Sequence, residues 1–259
     1  MYSFLHNLLK DHSDGTLFTC FSVWHFLYII LAVALVTVFI ILCKDKEQSV
    51  KERVLGVFSG IAFGLYMADF FLMPFAFGEI HVEKLPFHGC TAMCVMCFAS
   101  NHSRVLRKYR RHFALLGLIC NLMYLVYPAG VMWYEITPYS YRAIQTLLFH
   151  TSMVTYGVLA LTFDEEGMSI RHSYRDLAIL GGMTVWSLIG NTLYTGSAGE
   201  YSENFNWFFI KEDPFGILSA EIGQYVLPFV NIAVFFAVEM IIYLIFMGIR
   251  KAKRVPSAA

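Results

Sequence analysis

The stretch FSVWHFLYIILAVALVTVFIILC, residues 21–43, decides the class of fold. Its 23 residues include no Asp, Glu, Lys or Arg, and about 20 apolar residues are enough for a helix to cross the roughly 30 Å hydrocarbon core of a bilayer. The run is too long for a signal-peptide core and has no small-residue cleavage site, so we interpret it as a retained membrane helix. The whole chain agrees, because 58% of its residues are apolar, 15% are charged, and its mean hydropathy is +0.58.

Six further apolar runs follow the first, and together they predict an all-α, multi-pass integral membrane protein. The third run falls just short of membrane length, but it can extend through residues 101–103. We expect one seven-helix domain over residues 1–259. The predicted helices lie at about residues 21–43, 54–77, 85–103, 113–133, 142–163, 177–198 and 225–249.

Basic residues between the runs predict the orientation. Alternate segments hold 15 and 4 of the 19 Lys and Arg residues, and basic residues accumulate on the cytoplasmic side of membrane proteins. The amino terminus is therefore expected outside and the carboxyl terminus in the cytoplasm. The net charge is zero and topology accounts for the basic segments, so no nucleic-acid partner is expected.

Several polar side chains fall inside the predicted helices, where ionisable groups are costly and are functional candidates by default. At about 1.5 Å of rise per residue, Asp69, Cys90, His150 and Asn191 all fall in the outer half of the bilayer. Convergence of four helices on one layer favours a shared site, although interhelical hydrogen bonding also explains Asp69 and Asn191. Glu239 falls in the inner half, where we assign it no role.

Cys90 differs from the other thiols by its position. Pro86 suits the first turn of a helix, which places Cys90 where the positive helix end favours a thiolate. His88, two residues away, points to another face, so His150 is the better candidate for a base. Gln145, one turn from His150, is expected to line the same cavity. A lone buried histidine is also commonly a satisfied core residue.

The spacing of the cysteines does not indicate a metal site. Three thiols at i, i+4 and i+7 form one helix face, whereas cluster ligation needs a loop that wraps the metal. We therefore expect neither metal nor cofactor, and assign four of the other five cysteines to packing: Cys20, Cys43, Cys94 and Cys97.

Three stretches in order carry a resemblance to a known family. LPFHGC, residues 85–90, resembles the signature that opens a helix in the YwaF-like integral membrane family, which includes transmembrane protein 164. LLFHTSMV places His150 where that family has a histidine, and NFNWFFIKEDP, residues 204–214, is similar to the stretch before its last helix. Here Trp207 replaces a tyrosine, and two acidic residues interrupt the family's lysine–proline spacing.

The resemblance implies that the chain is a membrane acyltransferase that moves fatty acyl chains between phospholipids. It names Cys90 as the nucleophile that forms a thioester and His150 as the general base. Asn191, and less directly Asn206, are candidate donors to the oxyanion. Membrane lipids would be the substrates, in the plasma membrane of a bacterium or the endoplasmic reticulum of a eukaryote.

Two other readings remain open at this point. The same polar layer would suit an externally open pocket of a small-molecule transporter or ligand-binding protein, since Pro and Gly interrupt several helices. A purely structural membrane protein is the third reading. We also expect the aromatic loop at residues 199–224 to be ordered against the bundle, while oligomeric state is not predicted.

Overall fold

The computed structural model describes residues 2–10, 15–78, 82–128, 136–164, 169–194, 206–211, 213 and 217–254. Within these residues the chain forms nine α-helices and three short 3-10 turns, and it contains no strand. The expected all-α class is therefore confirmed. The helices are α1 Tyr2–Leu9, α2 Val23–Cys43, α3 Gln48–Phe77, α4 Gly89–His102, α5 Arg104–Arg107, α6 Arg110–Val126, α7 Tyr141–Thr162, α8 Ser173–Leu193 and α9 Ala220–Arg254.

Within the described ranges, four helices are long and apolar enough to cross a membrane. They are α2, residues Gln48–Phe75 of α3, α7, and residues Tyr225–Ile249 of α9. Each of the seven predicted runs overlaps one helix of at least 14 residues. Helix α4 has only 14 residues, which gives it a length of about 21 Å.

Two helices, α3 and α4, begin at other residues than predicted. Helix α3 begins at Gln48 instead of residue 54, because the charged turn before the apolar run is also helical. Glu52 in that turn forms a bidentate ion pair with Arg110. The predicted end of the fourth run, residues 129–133, and that of the sixth, residues 195–198, lie outside the described residues.

The start of α4 corrects a prediction. Pro86 was expected in the first helical turn, but the helix begins at Gly89, with His88 as its N-cap residue. The backbone before it is held by α8, because the Trp186 indole N–H donates to Pro86 O at 2.7 Å and Ser187 Oγ donates to Phe87 O at 2.6 Å. Cys90 is therefore the second residue of α4, about 1.5 Å from the helix start along its axis.

Four helices form a closed ring at the centre of the bundle. Helix α3 packs against α4 and α7, and α6 packs against the same two helices. A Cβ added to Gly157 of α7 would lie 2.7 Å from Leu118 Cβ of α6, so glycine allows these two helices to approach closely. Helices α4 and α7 thus stand on opposite sides of the ring.

The remaining long helices pack around this ring. Helix α2 packs on α7, while α8 and α9 pack on each other and on α6. Both α2 and α9 carry large apolar side chains on their outer faces, which suits contact with lipid. These side chains include Ile30, Leu31, Val33 and Ile41 of α2 and Ile241, Leu244 and Ile245 of α9.

Candidate functional site

Cys90 lies where the start of α4 meets α6 and a short connecting segment. A Cβ added to the neighbouring Gly89 would lie 2.8 Å from Cys120 Sγ of α6 and 3.0 Å from the Phe208 ring. Cys90 is partly exposed, and it lies within electrostatic range of Lys84 and Cys120. Cys90 is therefore a more exposed residue than Cys94 and Cys97, which are fully buried.

His150 is buried on α7 with one ring nitrogen unused. Its Nδ1 lies 2.6 Å from the carbonyl oxygen of Thr146, and a carbonyl can only accept, so the proton is on Nδ1. The other nitrogen, Nε2, is buried and has no hydrogen-bond partner among the residues that the structure describes. The ring stacks on Tyr124 of α6 at a centroid distance of 3.9 Å and an interplanar angle of 11°. His150 therefore presents a fixed ring nitrogen with a free lone pair in an apolar setting.

The two candidate catalytic residues lie on opposite sides of the ring, with α6 touching both. Cys120 of α6 packs against the start of α4, and Tyr124, one turn further along α6, stacks on His150. His88 lies within electrostatic range of His150. No hydrogen bond joins Cys90 to His150, because Nε2 has no partner. The structure thus places both residues at the same end of the ring, without direct contact between their polar atoms.

His88 holds the short segment at residues 206–211 against the start of α4. Its Nδ1 accepts a hydrogen bond from the backbone N–H of Phe208 at 3.3 Å, and its ring centroid lies 5.8 Å from that of Phe209. This contact places His88 beside Cys90, between the start of α4 and the segment at residues 206–211.

Two asparagines fasten the same segment to the last two helices. Asn191 of α8 donates to Trp207 O at 3.0 Å and accepts from Trp207 N–H at 2.8 Å. Asn231 of α9 donates to the carbonyl oxygens of Phe208 and Phe209 at 2.7 and 3.0 Å. Both polar atoms of Asn191 are thus engaged, which favours the loop-holding role over donation to an oxyanion.

Residues 206–211 are ordered by these contacts at some cost in backbone strain. Phe208 and Phe209 have φ values of 61° and 51°, in a region where non-glycine residues cost about 1–3 kcal/mol each. Asn206 tightens the turn by accepting the N–H of Lys211 at 2.9 Å. Trp207 is 1% exposed. This part of the predicted loop is packed against the bundle, whereas residues 199–205 lie outside the described part of the chain.

Asp69 and Gln145 each have a partner that joins elements of the ring. Asp69 Oδ2 lies 2.7 Å from Lys84 Nζ, which ties α3 to the turn before α4. Gln145 Nε2 donates to Leu65 O at 3.3 Å and so ties α7 to α3. The predicted site residues therefore share one end of the bundle, but most of them are engaged in structural contacts.

A second polar cluster, which sequence reasoning missed, lies at the other end of α6. His112 Nδ1 and Asp176 Oδ1 are 2.5 Å apart, and Tyr243 OH donates to Asp176 Oδ2 at 2.7 Å. The other ring nitrogen of His112 accepts a hydrogen bond from Arg111 Nε at 3.4 Å. All but Arg111 are at most 1% exposed. His112 and Asp176 stand at the edges of charged segments, so they resembled solvated loop residues.

Glu239 is adjacent to this second cluster but does not join it by a hydrogen bond. It is 0% exposed, and within the described part of the chain neither carboxyl oxygen has a hydrogen-bond partner. Asp176 and Cys120 lie within electrostatic range of it. Its position in an apolar run was the one sequence signal that pointed to this end of the molecule.

Across the described residues, no group of three or more His, Cys, Asp or Glu side chains could hold a metal ion. Comparison of the sequence with known proteins identifies its family. Neither a curated protein nor a solved structure matches the chain significantly. The TMEM164 family model matches residues 20–249, which confirms the transmembrane protein 164 part of the resemblance and leaves its YwaF-like part a prediction. With nearly its whole length matched, the chain belongs to the TMEM164 family.

Proposed function

We propose that this protein is a membrane-embedded lipid acyltransferase in which Cys90 is the nucleophile and His150 the general base. The observation that carries the proposal is the unpartnered Nε2 of His150, a buried imidazole nitrogen whose lone pair is left free by the Nδ1 bond to Thr146. A neutral imidazole nitrogen with a free lone pair can take the proton of a thiol that comes within hydrogen-bond reach. Cys90 is the partly exposed thiol at the start of α4.

The reaction proceeds in two half-reactions through one thioester. His150 Nε2 takes the Cys90 proton, and the thiolate attacks the carbonyl carbon of a phospholipid ester. The tetrahedral intermediate collapses as the ester oxygen leaves with the proton from Nε2, which releases a lysophospholipid. His150 then takes a proton from the hydroxyl of a second lysophospholipid, whose oxygen attacks the thioester, and the departing Cys90 sulfur recovers the proton.

The two residues must approach each other for this chemistry. Cys90 lies beside the segment at residues 206–211, which is held by side chains from α4, α8 and α9. Displacement of this segment by the incoming lipid would open space between Cys90 and the interior of the ring. The strained backbone at Phe208 and Phe209 lowers the cost of that displacement.

The proposal includes the full topology. All seven predicted runs cross the bilayer, with the amino terminus outside, so that Cys90 and His150 lie toward the outer surface. Cysteine labelling of intact cells tests this orientation. Single cysteines in residues 104–111 and after residue 250 are expected to stay unlabelled by an impermeant reagent, and labelling there would overturn it. The plasma membrane of a bacterium or the endoplasmic reticulum of a eukaryote is the proposed location.

Trapping of the thioester tests the chemistry directly. The purified protein is mixed with a labelled phosphatidylcholine in liposomes, without an acceptor, and its intact mass is measured. A fatty-acyl adduct on Cys90 that hydroxylamine removes is expected in wild-type protein and in Cys94→Ala, and it is absent from Cys90→Ala. An adduct of equal yield in Cys90→Ala would overturn the assignment.

A transporter is the second candidate, and Glu239 is the observation that favours it. A buried, unpartnered carboxyl on a membrane-length helix is typical of sites that bind ions or protons during transport. Acyl transfer that persists in Glu239→Gln supports the enzyme. Loss of a measured substrate flux in the same variant, with no acyl transfer in wild type, would instead support the transporter.

A further inference from the structure

A groove runs along the outer wall of the bundle between α4 and α8, on a face that the thiol chemistry does not use. It has a volume of about 370 Å³ and is lined by Ala92, Met93 and Met96 of α4, Phe113 of α6, and Gly182 and Trp186 of α8, among others. On α4, Ala92 and Met96 lie on roughly the opposite face from Cys94. The groove is therefore a separate site from the one that contains Cys90.

The groove lies parallel to the helices that form it. Its α8 wall consists of residues 179, 182, 183 and 186, a single stripe at i, i+3, i+4 and i+7. Seven residues of helix correspond to about 10 Å. If α4 and α8 cross the bilayer, as in the proposed topology, the groove lies along the membrane normal, which is the direction of lipid acyl chains.

The chemistry of the lining excludes a polar ligand. Every lining side chain is apolar, apart from the indole N–H of Trp186 at the rim. That N–H already donates to Pro86 O at 2.7 Å. Three methionines, at positions 93, 96 and 183, line the walls, and the flexible methionine side chain adapts to apolar partners of variable shape.

The groove is continuous with the apolar outer face of α8. Val185, Leu188 and Ile189 on that face are between 38% and 56% exposed, as expected of a surface that contacts lipid. Gly182 leaves the groove open, because nothing lies within 4 Å of the position that a Cβ would occupy. In the proposed topology, the material that borders the groove is therefore bilayer hydrocarbon.

We propose that this groove binds one acyl chain of a membrane phospholipid, with the lipid headgroup near the Pro86–Trp186 rim. The chain completes the packing between α4 and α8, which otherwise meet mainly through the contacts of Pro86 and Phe87. The proposal rests on the membrane topology proposed above but not on the thioester chemistry.

Photolabelling tests the proposal, with Gly181 and Gly182 as a matched pair. The full-length protein is reconstituted in vesicles of phosphatidylcholine that include a small share with a diazirine in one acyl chain, irradiated, digested and mapped by mass spectrometry. Adducts are expected on residues 92–96 and 179–186. Gly182→Leu fills the groove and is expected to lower these adducts about tenfold.

Gly181→Leu is the control, because Gly181 has equally open surroundings but does not line the groove. Both substitutions change helix propensity alike, so wild-type labelling is expected in Gly181→Leu. Ala92→Leu repeats the test from the α4 wall if Gly182→Leu fails to fold. Equal labelling in the variants at positions 181 and 182, adducts spread evenly over the outer helices, or cross-links from this groove to a second copy would overturn the proposal. None of these readouts requires turnover, so they leave the thioester proposal untouched.

Discussion

Two buried histidines on the central helices show how differently the two ends of this molecule are built. His112 uses both ring nitrogens, one toward Asp176 and the other toward Arg111. His150 uses only Nδ1, and its Nε2 faces no partner. A saturated side chain holds helices together, whereas a side chain with a free nitrogen has capacity left for a substrate. The comparison assigns structure to the His112 end and chemistry to the His150 end.

The largest effect is expected from removing the proposed catalytic pair. Cys90→Ala and His150→Ala are each expected to reduce acyl transfer by roughly a thousandfold or more, and the double variant should fall no further, because both residues act in one step. The measurement is transfer of a labelled acyl chain from phosphatidylcholine to a lysophospholipid in liposomes. Cys97→Ala is the control for packing. A double variant whose loss equals the product of the two single losses would show that the two residues act independently.

Removal of the central anion from the saturated cluster should affect stability and not chemistry. Asp176→Ala leaves the buried donors of His112 and Tyr243 without their shared acceptor, and each unsatisfied buried donor costs about 1–3 kcal/mol. A lower Tm in detergent is expected, with activity per folded molecule unchanged. If the variant kept its Tm but lost activity, the assignment of roles to the two ends would be reversed.

A stability effect of intermediate size is expected when the segment at residues 206–211 loses one of its anchors. Asn191→Ala removes two buried hydrogen bonds to Trp207, at a cost of about 1–3 kcal/mol. Faster proteolysis near Trp207 is expected in the folded protein. Thr192→Ala is the matched control, since the exposed Thr192 hydroxyl donates only to Leu188 O of its own helix. Equal cleavage of both variants would show that Asn191 does not hold the segment.

The smallest effect is expected at Glu239, beside the saturated cluster. Glu239→Gln replaces a carboxyl by an amide of the same shape, and because neither carboxyl oxygen has a hydrogen-bond partner, no bond is lost. A change in unfolding free energy below about 1 kcal/mol is expected. Thermal unfolding of the two proteins in the same detergent measures it, and a loss comparable to that of Asp176→Ala would place Glu239 inside the network.

The sequence by itself determined the properties that depend on local composition. The apolar runs predicted the membrane class and the approximate position of each long helix, because a helix satisfies its own backbone and needs only an apolar surface to lie in lipid. Resemblance in three short stretches identified the family, and with it Cys90 and His150 as candidates. These inferences needed no knowledge of which residues meet.

Only the tertiary structure decided the partners of the polar side chains. His112 and Asp176 are 64 positions apart, and nothing in either local segment distinguishes a buried hydrogen-bonded pair from two solvent-exposed polar side chains. Asn191 binds the backbone of Trp207, and α4 begins at Gly89 because side chains of α8 hold the preceding turn. The free Nε2 of His150 is likewise a property of its surroundings. A hydrogen bond is decided by the packing of distant helices, which local sequence does not specify.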